Sequence, residues 1–149
     1  MSALDGKRIL IVDDAQFVRK TIKRMLQMVG RPVIEEAADG DAALKTLETF
    51  MPEVVLCDIH MKPMNGFAFV RHLRQLKNPE LCTTPVVMLT TDQAQGTVAH
   101  ARGLGVHGYL LKPVSPHDLE QRLGGVLRNR AASWSAQPAA PAAEKAPRA

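Results

Sequence analysis

Cysteine, tryptophan and long apolar runs are scarce in this chain of 149 residues. Its two cysteines, Cys57 and Cys82, allow at most one bridge. Cys57 lies inside an apolar run, so no disulfide framework is expected and both thiols read as reduced. The N-terminal MSALDGKRILIVDD holds one apolar run, Ile9–Val12, which ends in two acids. Neither a signal peptide nor a membrane span has that form, which predicts a cytoplasmic protein with no membrane partner. His60, His72, His100, His107 and His117 show no metal-ligand spacing and read as solvated. A glycine-rich phosphate loop and a recognition helix-turn-helix are both missing.

What is present is an ordinary globular composition, 46% hydrophobic and 23% charged. The length suits one domain, which at this size buries roughly 68–70% of the unfolded chain's surface and needs no metal or disulfide staple. The net charge of +4 points toward nucleic acid or acidic partners. Half of it, however, falls in residues 129–149, where Arg130, Lys145 and Arg148 face a single Glu144. From residue 131 the chain is mostly alanine and proline, with Trp134 its one aromatic, and reads as a disordered tail.

Residues 5–130 alternate short branched runs with longer amphipathic stretches. Arg8–Val12, Pro32–Glu36, Val54–Cys57, Pro85–Leu89 and Gly108–Leu111 have the length and composition of strands. Three of them lack polar alternation, as strands buried on both faces do. The stretch from Ala15 to Val29 predicts a helix with Phe17, Val18, Thr21, Ile22, Met25, Leu26 and Val29 on one face, stopped by Gly30 and Pro32. Met25, Met28 and Met88 fit core filling. Ser115-Pro116-His117-Asp118 opens a last helix with a cap, proline in the first turn and an acid at the third position. Gly124-Gly125 inside that helix should weaken it by roughly 1 kcal/mol per glycine, which points to close packing or a mobile binding face. Five strand-then-helix units predict an α/β fold, a doubly wound, flavodoxin-like five-stranded parallel sheet.

In such a sheet the carboxyl ends of the strands share one edge, where sites form. Asp13 and Asp14 follow the first run, Asp58 the third, Thr90 and Thr91 the fourth, and Lys112-Pro113 the fifth. Three carboxylates gathered there call for a cation, and an all-oxygen donor set favours a hard one such as Mg2+. Mg2+ keeps places for water and phosphate oxygens, so a hydroxyl and an ammonium beside it suit phosphoryl transfer. Asp58, alone at the end of its run, is the better nucleophile, while the adjacent Asp13 and Asp14 are better placed to hold the ion.

Ile11-Val-Asp-Asp14, Asp58-Ile-His-Met61, Met64-Asn-Gly66, Met88-Leu-Thr90 and Gly108-Tyr-Leu-Leu-Lys-Pro113 together resemble the signature segments of the CheY-like response-regulator receiver domain of two-component signalling. The resemblance implies that Asp58 is the phospho-acceptor, with Asp13 and Asp14 holding Mg2+ and the backbone carbonyl of His60 as a further ligand. It implies contacts from Thr90 and Lys112 to the phosphoryl oxygens, a switch formed by Thr90 and Tyr109, and a cis peptide at Lys112-Pro113. It also implies a two-state element that phosphate biases, read out on the surface of the fourth helix, fifth strand and fifth helix. The partners it implies are a sensor histidine kinase or histidine phosphotransfer protein and an output protein, with the chain a monomer or a phosphorylation-dependent dimer. Such a domain is a phospho-acceptor that assists its own phosphorylation and dephosphorylation rather than a classical enzyme. The chain departs from the family at Lys62-Pro63, where the proline is displaced by one residue, and at Val114, where phenylalanine is common. His60 and Asp92 stand where family members tune dephosphorylation.

With residues 5–130 assigned to the receiver and 131–149 to the tail, no length remains for an output domain, which predicts a stand-alone, bacterial, single-domain regulator acting through what it binds. A phosphorelay intermediate or phosphate sink is the alternative. A nucleotide-binding effector working through Arg122, Arg128, Arg130 and the tail ranks behind both, and direct DNA binding is not expected. A metal-dependent phosphatase of the haloacid-dehalogenase type needs Asp-x-Asp after its first strand, which Asp13-Asp14 does not provide.

Overall fold

The computed structural model describes residues 1–91 and 94–129. The expected tail at 131–149, with Trp134, lies outside the described residues, as do Asp92 and Arg130. The elements follow in the order β1 (Arg8–Val12), α1 (Gln16–Val29), β2 (Val33–Ala37), α2 (Gly40–Phe50), β3 (Val54–Cys57), α3 (Gly66–Arg74), α4 (Pro79–Cys82), β4 (Val86–Thr90), α5 (Gln95–Gly103), β5 (Gly108–Leu111) and α6 (Pro116–Arg128). All strand pairs are parallel, in the order β2-β1-β3-β4-β5. This is the doubly wound five-stranded α/β sheet the alternation of runs predicts. Among the described residues no helix is long and apolar enough to cross a membrane.

Alternation along each strand sends successive side chains to opposite faces and so builds two apolar layers. Leu10, Val12, Val55, Cys57, Val86, Met88 and Tyr109 pack with Ala43 and Leu47 of α2, Phe69, Val70 and Leu73 of α3, and Ala101 of α5. Ile9, Ile11, Val54, Leu56, Val87 and Leu89 pack on the other side with Ile22 and Leu26 of α1 and Leu119, Leu123 and Val126 of α6. The three central strands are buried at nearly every position because helices cover both faces.

Two strands start one residue later than the sequence suggests. Pro85 lies outside β4, although its carbonyl still accepts from the Val55 N–H at 2.9 Å, and Thr90 becomes the last strand residue. In α1 the buried face centres on Ile22 and Leu26. Phe17 and Met28, expected to pack inward, are 81% and 69% exposed. They share a separate i, i+4 stripe with Thr21 and Arg24 that runs along the solvent side of that face. The four-residue α4 was not anticipated; Asn78 accepts from the Glu80 N–H at 2.9 Å and proline fills the first turn, a smaller version of the Ser-Pro start of α6.

Helix α6 carries opposing local effects. Ser115 and Asp118 form a reciprocal capping box, with bonds of 3.0 and 3.1 Å. The two glycines differ: a Cβ at Gly124 would stand 3.4 Å from the Cβ of Ala3 and 3.2 Å from Arg128, whereas nothing lies within 4 Å of one at Gly125. Gly124 thus makes room for the N-terminal segment, and Gly125 pays the helix cost without a packing return. Gly125→Ala is expected to stabilise the fold by about 0.8–1 kcal/mol and Ser115→Ala to destabilise it by about 1 kcal/mol. Urea unfolding with an unchanged slope checks both signs.

Candidate functional site

Parallel pairing puts the residues after β1, β3 and β5 and the end of β4 on one edge, and four of the singled-out side chains meet there. Asp13 and Asp58 each follow their strand directly, with the Asp58 N–H donating to the Val12 carbonyl at 3.0 Å. Carboxylate oxygens of Asp13, Asp14 and Asp58 lie within 4.8 Å of one another. The Lys112 ammonium stands 3.1 Å from Asp13 Oδ2 and 3.9 Å from Asp58 Oδ2. Asp13 is nearly buried, at 3% exposed, Asp58 is partly buried and Asp14 faces solvent. The set is therefore an acidic cup with one open wall, closed on one side by a lysine.

The local backbone explains how the cup keeps its shape. Asp13 Oδ1 accepts from the Ala15 N–H at 2.9 Å, tying its side chain to the turn that starts α1. Lys112 follows β5, and its N–H donates to the Thr90 carbonyl at 2.8 Å, which brings Lys112 beside the end of β4. Thr90 is fully buried. Both Lys62-Pro63 and Lys112-Pro113 are cis peptides. Past Asp58 the chain turns sharply: the Gly66 N–H donates to the Ile59 carbonyl at 2.7 Å, and Asn65 caps α3 by accepting from the Ala68 N–H at 2.9 Å. A Cβ on Gly66 would stand 2.3 Å from the backbone oxygen of Asp58, so α3 starts against the acceptor loop only because position 66 has no side chain.

Burial is the largest influence on Asp58 and raises its pKa. Lys112 pulls it down, Asp13 pushes it up, and backbone hydrogen bonds from Ile59 and His60 lower it, leaving a net rise above the ordinary aspartate value. Next to it, Cys57 is fully buried and its thiol donates to the Asp58 carbonyl at 3.2 Å. Burial first, then the charges of Asp58 and Asp13, pushes that thiol well above its usual range, so it is an inert core group.

Of the other residues singled out in the sequence, Tyr109 is 1% exposed and packs in the layer under α2, α3 and α5, paired in register with Met88. His60 is exposed beside Asp58, and His107 is half-buried rather than solvated. His100 stacks on Phe67 of α3 with ring centroids 4.3 Å apart.

Of two residues that sequence reasoning passed over, Arg19 touches the site from behind and Glu36 holds Arg19. Arg19 donates from Nη1 to the Asp13 carbonyl at 2.6 Å and from Nε to Glu36 Oε1 at 3.0 Å. Glu36 also accepts from Lys20 at 2.9 Å and lies 3.9 Å from Lys23. Its partial burial works to raise its pKa, but Lys20 and Arg19 outweigh that and hold it below the ordinary value. The only sequence signal is the place of Arg19 one turn after Ala15, which aims a long side chain back over the helix start.

The arrangement has counterparts in other proteins. A family model described as the response regulator receiver domain matches residues 9–124. The probable transcriptional regulator ycf27 of Guillardia theta is 37% identical over 131 residues, which cover 85% of this chain and 48% of that protein. The chemotaxis protein CheY homolog of Campylobacter jejuni is 33% identical over 121 residues, covering 80% of this chain and 92% of its own. The chemotaxis response regulator CheY4 of Vibrio cholerae, a solved structure, matches with a TM-score of 0.73 at 32% identity, over 81% of this chain and 98% of that one. The chain spans about half the length, or less, of the first curated relatives it matches. With the family's model covering most of the strands and helices and its fold shared by a solved relative, this chain belongs to the response regulator receiver family.

Proposed function

We propose that this chain takes a phosphoryl group from a histidine kinase or histidine phosphotransfer protein onto Asp58, and passes the signal on by binding an output protein in that state. The observation that supports this best is the meeting of Asp13, Asp14 and Asp58 with Lys112 at the strand ends. Receiver domains are phospho-acceptor signalling domains, and each part of the cup suits that work. An Asp58 carboxylate oxygen attacks phosphorus, the donor's N–P bond breaks, and the electron pair leaves with the imidazole nitrogen, which takes a proton. Lys112, released from Asp13, and the Thr90 hydroxyl are the groups for the transferred oxygens.

The donor set fits Mg2+: three carboxylates, all hard oxygen ligands, with one side open to water and phosphate. Asp13, Asp14, Asp58 and the His60 carbonyl are the groups to hold it. Bound there, it offsets the charge between the carboxylates and the incoming phosphoryl group. Tyr109 and Thr90 are the switch pair, with the inward Tyr109 of this structure as one of its positions.

Incubation with a small acyl phosphate and Mg2+ tests the reading without needing the natural donor. One covalent phosphoryl group mapping to Asp58, and little or no labelling when a chelator removes the metal before the phosphate donor is added, is the expected result. Labelling at another residue, or equal labelling with the metal chelated, overturns it.

A further inference from the structure

We propose that Arg19, aimed by Glu36, is a positioning residue for the cation site, acting through the peptide that joins Asp13 to Asp14. This rests on the Mg2+ reading above. The Asp13 carbonyl that Arg19 holds at 2.6 Å belongs to that peptide. The peptide is planar and contains the Cα atoms of both acids, so holding its oxygen helps hold the points from which both side chains start. The N-cap of α1 is Ala15, which has no side-chain cap bond, so the start of the helix is tied instead through Asp13, whose Oδ1 accepts from the Ala15 N–H at 2.9 Å. From the sheet side, the Asp13 N–H donates to the Ala37 carbonyl at 3.2 Å. Ala37 adjoins Glu36, and Glu36 holds Arg19 at 3.0 Å, which closes a bracket of β1, α1 and β2 around the Asp13–Asp14 turn.

Charge alone argues against an arginine here. A guanidinium beside a divalent-cation site opposes the ion by Coulomb repulsion. Glu36 orients the fork while sharing its carboxylate with Lys20 and Lys23, and with both side chains only 13–14% exposed the Arg19–Glu36 pair is well shielded from water. An arginine suits the role because its planar fork serves two acceptors at once, whereas lysine offers a single point charge.

Two substitutions separate positioning from charge, with Mg2+ affinity measured by calorimetry on the metal-free chain, at a temperature where thermal unfolding shows every variant folded. Arg19→Lys keeps the charge and loses the fork; Arg19→Gln removes a cation that repels the metal. If Arg19 positions the acids, Mg2+ affinity falls roughly tenfold in both, the scale for groups that support metal ligands. If it acts only as a charge, Arg19→Lys matches the parent and Arg19→Gln binds more tightly; either result overturns the proposal. A parent chain that takes up no Mg2+ overturns the metal reading and this role together, which sets that failure apart.

Discussion

A chain with asparagine at position 58 is expected to take up no phosphoryl group at all and, free of metal, to be more stable than the parent at neutral pH. The first effect follows because the amide has no anionic oxygen to attack phosphorus. The second follows from the cost of an ionised Asp58 in its setting. Burial raises its pKa, Lys112 works against that, and Asp13 adds to it. For an acid whose folded pKa lies above its unfolded one, the folded state binds the extra proton. Stability from this group is then complete below the unfolded pKa and is lost as pH rises through the folded pKa. Asparagine never ionises, so its advantage exists above that window and closes as pH falls below the ordinary aspartate range, about 3.9. Two carboxylates about 5 Å apart repel by about 1–3 kcal/mol between solvent-like and protein-like screening. The attraction of Lys112 outweighs that repulsion, so what asparagine relieves is the burial of the charged carboxylate, a gain on the order of 1 kcal/mol, or a few degrees in Tm. Thermal unfolding of both proteins across this pH range, without metal, is the check. Equal melting temperatures at neutral pH would contradict the sign.

Gly66→Ala is expected to cost about 3 kcal/mol, the upper part of the range for overpacking a filled core, and to slow phosphorylation of Asp58 as well. The new Cβ would stand 2.3 Å from the Asp58 oxygen, 2.9 Å from the Ile59 Cα and 3.0 Å from the Met88 Cε. Met88 can move its side chain, but two of these three atoms are backbone of the acceptor loop. Relief therefore has to shift either α3 or the segment that carries the reactive carboxylate. A shift of α3 also strains the 2.7 Å bond between Gly66 and Ile59. Denaturant unfolding gives the stability change, and the initial labelling rate from an acyl phosphate, read where the variant is fully folded, gives the change at the site. An alanine variant as stable and as readily labelled as the parent would show that the loop yields without cost.

The sheet was legible because its inner strands are buried on both faces, so Ile9–Val12, Val54–Cys57 and Val86–Leu89 read as uninterrupted apolar runs. Most of the site was legible for a related reason. A parallel sheet collects whatever follows its strands, so Asp13, Asp58, Thr90 and Lys112 needed only their positions relative to the runs. What escaped depended on facts a single chain does not carry locally. Phe17 has the spacing of a core residue yet faces solvent, because the breadth of the buried stripe on α1 is set by what α6 covers. Arg19 and Glu36 look like ordinary surface charges until β2 is laid beside β1. Gly66 is visible as part of a motif, while the reason for it, a carbonyl in the way, appears only when α3 is docked.

The two apolar layers have a consequence for how this domain can change over time. Tyr109 belongs to the layer shared by α2, α3 and α5, and the helices α1 and α6 belong to the other. The sheet acts as a partition wall between them, and the acidic cup sits on its rim. Substitutions within the α1–α6 layer can repack it without disturbing the packing around Tyr109, and the reverse holds. On the function proposed here, a readout surface around β5 draws on both layers at once, through α5 on one side and α6 on the other.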